Sequence, residues 1–225
     1  MLDVTREQPT AGPIDWRQID LYRFFARVFA PPSSECFDFL ARPSVCAELR
    51  GLWHRLRCEG EFQEFSWFAT YDLYESSYIS LFDVGLPEPA VPLFESAHDK
   101  RHPAQEIALE NTYFYDVLGL KSDPTTGVPD YLVTQLEFLA ALSFILENTS
   151  DEASRNSLAR AQSEFLERHL LNWLPTAAAK LRKVEAVGFP LLMDLLVQFL
   201  RKEDANRRTH SQSVLSSETH TPTVT

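Results

Sequence analysis

The chain has 225 residues, 44% of them hydrophobic and 24% charged, which is material for one packed domain, with or without a small appendage. Its formal net charge of −11 excludes a surface built to hold nucleic-acid phosphates, which needs clustered Lys and Arg; the acidity either keeps the protein soluble or attracts a basic partner. Only seven glycines are present, too few to suggest a Gly-rich phosphate loop.

Three cysteines, Cys36, Cys46 and Cys58, form no Cys-x-x-Cys and leave one thiol over in any disulfide scheme, so reduced thiols and a cytoplasmic location are expected. Met1 to Gly12 contains no apolar run of the signal-peptide kind, and no uncharged stretch reaches the roughly 18 residues of a membrane span. Membrane insertion is therefore not expected. Sixteen Phe, seven Tyr and four Trp must fill a helical core or line an apolar groove.

In chain order, the first 13 residues read as flexible. Leu21, Phe24, Phe25, Val28 and Phe29 then recur at helical spacing over about Asp15 to Ala30, and Pro31–Pro32 stops that helix. Ser33 or Ser34 caps a short helix through Phe37 and Leu40, and Pro43–Ser44 opens another carrying Leu49, Leu52, Trp53 and Leu56. A long helix is predicted from about Glu64 to Asp83, with Phe65, Phe68, Tyr71, Tyr74, Tyr78, Leu81 and Phe82 in register and Gly85 at its stop.

Leu86 to His102 holds Pro87, Pro89 and Pro92 and reads as a loop, followed by a helix from Pro103 to Gly119. A turn-rich linker, Lys121 to Val128, leads to a helix from Pro129–Asp130 to Glu147 that is apolar nearly all round, as a buried central helix should be. Three more helices are predicted, over Ser154 to Trp173, Ala177 to Val187 and Leu191 to Leu200. From Asp204 the chain has too little apolar surface to offset its ordering entropy and is expected to be a disordered tail. The predicted architecture is thus all-α: a single-domain helical bundle over 14–203 with a disordered stretch, 204–225.

Known catalytic motifs are missing: no Gly-x-Ser-x-Gly, no Walker loop, no His-Glu-x-x-His. Glu95-x-x-His98 has metal-ligand spacing, but di-iron bundles need that motif twice on facing helices, and here it lies in a proline-rich loop. His169 reads as a packed or capping residue. The stripe Tyr71, Tyr74, Tyr78 and Phe82 is core by default, but the segment PLFESAH (Pro92 to His98) follows it closely and makes a peptide groove conceivable.

Four segments together resemble the TorD/DmsD/NarJ family of redox-enzyme maturation chaperones. LYRFFARVFAPP (Leu21 to Pro32) is similar to its opening helix, and YISLFDVGLPEPAVPLFESAH (Tyr78 to His98) to its aromatic-x-x-Leu-Phe helix end and Pro-aromatic-x-Ser loop. PDYLVTQLEFLAAL (Pro129 to Leu142) resembles the stretch that usually reads Asp-His then Glu-Leu-x-Phe, and FLERHLLNWLP (Phe165 to Pro175) its F-x-x-x-H-L-x-x-W-x-P run. Tyr131 stands where members often have His, and Tyr78 where Trp is common.

The resemblance implies a TorD-like bundle and a chaperone, not an enzyme, with no resident cofactor. Its implied partner is the catalytic subunit of a molybdopterin oxidoreductase, held by its N-terminal leader peptide until the molybdenum cofactor is inserted. Carried over by position, the peptide-binding residues are Tyr74, Tyr78, Leu81 and Phe82 on the helix, Pro92, Phe94 and Ser96 in the loop, and Asp130 with Tyr131. Asp72, Glu75, Glu95 and Asp130 are expected to meet the leader's arginines. A small helical metal enzyme built on Glu95 and His98, or a helical adaptor for another partner, are the alternatives, and monomer and dimer both remain open.

Overall fold

A computed structural model describes residues 18–57, 61–62, 69–120, 128–184, 186 and 188–218, with side chains as far as 208. The expected flexible start, Phe65 and Phe68, Cys58 and the linker 121–127 lie outside the described residues.

The predicted periodicities become helices with identifiable ends. α1 (Gln18–Phe29) stops before the paired prolines. α2 (Ser34–Leu40) is capped by Ser33, whose hydroxyl accepts from the Cys36 N–H at 3.2 Å, and α3 (Pro43–Leu56) begins on proline and ends at Arg57 in the left-handed region, φ 55°. α4 (Tyr71–Tyr78) starts later than expected because the Thr70 hydroxyl caps it, accepting from the Leu73 N–H, and it continues into a π turn, Ile79–Asp83. The loop predicted over Leu86 to His102 contains a one-turn helix, α5 (Glu95–His98).

α6 (Ala104–Val117) and α7 (Leu132–Asn148) follow the predicted ranges closely. α8 (Glu152–Phe165) starts on an Asp151 cap, 2.8 Å from the Ser154 N–H, and gives way to a second π turn, Leu166–Leu170, where an unbroken helix was expected. α9 spans Leu174–Leu181, earlier than the predicted Ala177 to Val187, because Pro175 is compatible with a first helical turn.

α10 (Phe189–Glu218) passes well beyond the expected stop at Leu200. Arg207 pairs with Glu203 at 3.3 Å and Arg208 with Asp204 at 2.8 Å, both one turn apart, while Gln18 of α1 donates to Glu203 and Arg208 reaches Glu167 at 3.2 Å. α10 thus runs through Asp204, where the tail was expected to begin, and it carries charged pairs that apolar content alone does not register. Residues 219–225 of the expected tail lie outside the described residues.

α1 packs most extensively along α7, whose apolar residues face inward on several sides. Around this pair the rings of Phe29, Tyr78, Phe82 and Tyr74 converge on Phe189 at the start of α10, with Phe82 and Phe189 edge to face at 5.1 Å. Among the described residues there is no strand, only an isolated antiparallel bridge between Phe94 and Tyr131. The fold is all-α, as predicted. No described helix is long and apolar enough to cross a membrane.

Candidate functional site

The Phe94–Tyr131 bridge stitches the proline-rich loop to the start of α7. The Glu95 N–H donates to the Asp130 carbonyl at 3.0 Å and the Leu132 N–H to the Leu93 carbonyl at 2.9 Å. The two rings lie 5.2 Å apart, tilted by 32°, and both are half-buried. Beneath them the Tyr131 and Tyr78 hydroxyls meet at 3.2 Å, and both lie within hydrogen-bonding reach of the Phe29 carbonyl. This aromatic seam is where α1, α4, the loop and α7 meet.

Burial first, and then the nearby charges of Asp83 and Glu137, push the Tyr131 hydroxyl above its ordinary pKa against the opposing effect of its bond with Tyr78. Asp83 and Glu137 are both exposed, so the seam has accessible carboxylates beside it.

The other residues predicted for a peptide groove divide by depth. Tyr74, Tyr78, Leu81, Phe82 and Pro92 are buried, so they shape the seam only from beneath. Ser96 is half-buried and its N–H donates to an Asp130 carboxylate oxygen at 3.1 Å. Asp130 is itself buried and caps α5 from 34 residues away; it is not free to meet an arginine. Glu95 is corrected in the same way. Of the four carboxylates expected to face a client, Asp72 is exposed and Glu75 is half-buried against the Tyr71 hydroxyl at 3.1 Å.

Glu95 is 2% exposed and belongs to a buried polar network that sequence reasoning missed. Its carboxylate accepts from Asn111 Nδ2 at 3.0 Å and Gln135 Nε2 at 2.7 Å, and His169 Nδ1 lies 3.2 Å from both its oxygens. Asn111 also donates to the Ile107 carbonyl, and its own amide oxygen accepts from Gln135 at 3.1 Å. These bonds tie α5, α6, α7 and the second π turn together, and three donors on one carboxylate are what make its burial tolerable. The faint signal in the sequence is the single polar residues Asn111, Gln135 and His169, each on an otherwise inward, apolar face.

With side-chain exposures of 1% and 3%, the His169–Glu95 pair is buried, and it joins the second π turn to α5. His98, the other half of the metal-like spacing, stacks on Trp173 at 5.1 Å and its Nε2 lies 2.7 Å from the Pro92 carbonyl. Among the described residues no group of three His, Cys, Asp or Glu side chains is placed to hold a metal ion.

Beside the network lies a cleft of about 280 Å³ lined by both signs of charge, including Asp99, Arg101, His102, Glu110 and Arg168. The hydrogen bonds from the Arg101 side chain hold the Asp99 carboxyl well below its usual range.

Compared with known proteins, residues 58–179 match the family model described as nitrate reductase delta subunit, a span that contains the Phe94–Tyr131 bridge and the Glu95 network, while α1 lies outside it. The chain belongs to this family of TorD- and NarJ-type maturation chaperones. Its relatives include the perchlorate reductase assembly chaperone protein of Dechloromonas aromatica strain RCB, 32% identical over 134 residues, covering 58% of this chain and 60% of that one. The selenate reductase assembly chaperone protein of Thauera selenatis is 30% identical over 139 residues, covering 60% and 70%. The chaperone protein TorD of Vibrio cholerae is 32% identical over 104 residues, 45% of either chain. The match thus spans less than two thirds of the first and third of these relatives.

Within the delta-subunit family fold, the resemblance predicted from four short segments acquires a physical meaning. Two of them, the Pro-aromatic-x-Ser loop and the Asp130–Tyr131 pair, are joined by the bridge and by the Asp130 cap. A third brings His169 to Glu95 of that same loop.

Proposed function

We propose that this protein is an assembly chaperone for the catalytic subunit of a molybdopterin oxidoreductase, holding that subunit by its N-terminal leader while the molybdenum cofactor is inserted. Three relatives at 30–32% identity are named as chaperones, two of them for the assembly of a reductase, and this supports the class of partner. The observation that carries the binding mode is the half-buried Phe94–Tyr131 pair with Asp83 and Glu137 beside it. An apolar platform next to accessible carboxylates suits a peptide that alternates apolar and arginine side chains. Tyr78, Phe82 and Pro92 set the platform's height from below, while Ser96 and Asp130 hold the loop in place. The reading involves recognition and no bond-breaking step.

The test is calorimetric titration with a synthetic peptide from the N-terminus of the reductase subunit that co-purifies with the protein. Phe94→Ala should weaken binding by about 1–3 kcal/mol, the range of an interface anchor, with the fold intact by circular dichroism. Glu137→Gln should weaken it less and reduce its salt dependence. Undiminished binding in folded Phe94→Ala protein would remove the seam from the site.

A further inference from the structure

α6 carries apolar side chains on two opposite faces. Ile107, Asn111 and Tyr115 point inward. Leu109, Tyr113 and Val117, spaced four residues apart and so in one row along the helix, are 69%, 68% and 63% exposed. At about 100° per residue this row lies roughly opposite the buried one. Single exposed apolar residues need no explanation, but three in register on one helix do.

The orientation of α6 is enforced from inside. Asn111 is bound to Glu95 and Gln135, and the Tyr115 hydroxyl donates to the Pro129 carbonyl at 2.6 Å. Rolling the helix to bury Leu109 and Tyr113 would break these bonds, leave Glu95 and Gln135 short of partners in the core, and carry Glu106 and Glu110 inward. The outward stripe is thus a built feature of the bundle. It is flanked by exposed Glu106, Glu110 and Asp116, and α6 contains no Lys or Arg; Arg168 from the second π turn pairs with Glu110.

We propose that the outer face of α6 is a second docking surface, whose occupant is a basic amphipathic helix of a partner protein. Its apolar residues, three and four apart, would pack on Leu109, Tyr113 and Val117, with Lys or Arg against Glu106 and Asp116. A second copy of this chain fits poorly. A two-fold axis through Tyr113 sets Leu109 against the copy's Val117, but it also sets Glu110 against the copy's Asp116, like charge on like. The surface is distinct from the Phe94–Tyr131 seam, because the inward face of α6 is the one that meets α5 and α7.

The probe is a fluorescein-labelled helix of roughly 18 residues with leucines in one row and lysines on both flanks, titrated against the full chain by anisotropy at about 0.1 M salt. The lysine peptide should bind. The double variant Leu109→Gln/Tyr113→Ser should weaken it by about tenfold or more, and Asp116→Lys by about threefold or more, with unchanged circular dichroism. The same peptide with glutamate in place of lysine should bind at least about tenfold more weakly. Phe94→Ala should leave lysine-peptide binding intact, and the double variant should leave reductase-leader binding intact, so failure of this proposal is separable from failure of the seam. Equal binding by wild type and double variant, loss of lysine-peptide binding in Phe94→Ala, or equal binding of the glutamate peptide would overturn it. So would a wild-type dimer in sedimentation that the double variant converts to monomer, since the occupant would then be a second copy.

Discussion

Glu95 is buried, and the side chains of Asn111, Gln135 and His169 from three separate elements converge on that one carboxylate. Glu95→Ala should therefore cost about 3 kcal/mol in urea unfolding, since Asn111, Gln135 and His169 all lose a buried partner. Combined with Asn111→Ala, the loss should fall short of the sum of the two single changes, because both sever the same bonds. Additive losses would show that the network is not a unit. His98 offers a pH test. Burial is the main influence on its pKa and lowers it, while Nε2 sits 2.7 Å from the Pro92 carbonyl and Lys180 Nζ approaches Nδ1 at 3.3 Å. The folded state thus favours the neutral ring, with Nε2–H donating. Stability from this site is complete above the unfolded value near 6.5 and is lost as pH falls from there through the lowered folded value. Melting temperature should drop over that window in wild type, and less steeply in His98→Gln. Parallel profiles would show that His98 is not the group responsible.

The helices are built by rules that operate within a few residues, and their ends show it. Ser33, Thr70 and Asp151 each accept a first-turn N–H, and paired prolines or a left-handed Arg57 close the preceding elements. The loop after α4 is different in kind, since its path is set by close approach of backbone to backbone. A Cβ added to Gly85 would lie 2.2 Å from the Glu88 carbonyl oxygen, so glycine is required there by space. Gly85→Ala should destabilise the protein by about 1–3 kcal/mol and disturb the approach to Val91, whose N–H donates to the Leu81 carbonyl. A melting curve identical to wild type would mean that the loop shifts freely. The two π turns, Ile79–Asp83 and Leu166–Leu170, follow residues whose spacing reads as ordinary helix. One extra residue in a turn is invisible to a pattern of period 3.6 when the rings on either side, Phe82 or His169, still find the core.

At the scale of the molecule, α10 closes the bundle through charge as well as apolar contact. Arg207 is 14% exposed at its side chain and pairs with Glu203, whose carboxyl is raised in pKa chiefly by burial and held down by Arg207. A chain ending at Asp204 should therefore lose about 1–3 kcal/mol, because Glu203 is left partly buried without its partner, while a chain ending at Glu218 keeps both i,i+4 pairs and should melt close to full length. Equal melting of the two would show that the charged turn past Asp204 contributes nothing.

The sequence by itself determined the helical class, most helix boundaries to within a turn, and family membership, since Tyr78 to His98, Pro129 to Leu142 and Phe165 to Pro175 all fall in the matched span 58–179 in order. These are local properties: a period, a cap, a proline stop. Only the tertiary structure decided which aromatic faces turn inward. It buried Tyr74, Tyr78 and Phe82 against Phe189, left Phe94 and Tyr131 at the surface, and engaged Glu95 and Asp130 internally. It also turned Leu109, Tyr113 and Val117 outward on a helix whose other face is equally apolar in pattern. The physical reason is that a side chain's depth depends on partners far along the chain. Glu95, Asn111, Gln135 and His169 satisfy one another only once four separate elements meet, and no window of sequence contains them all.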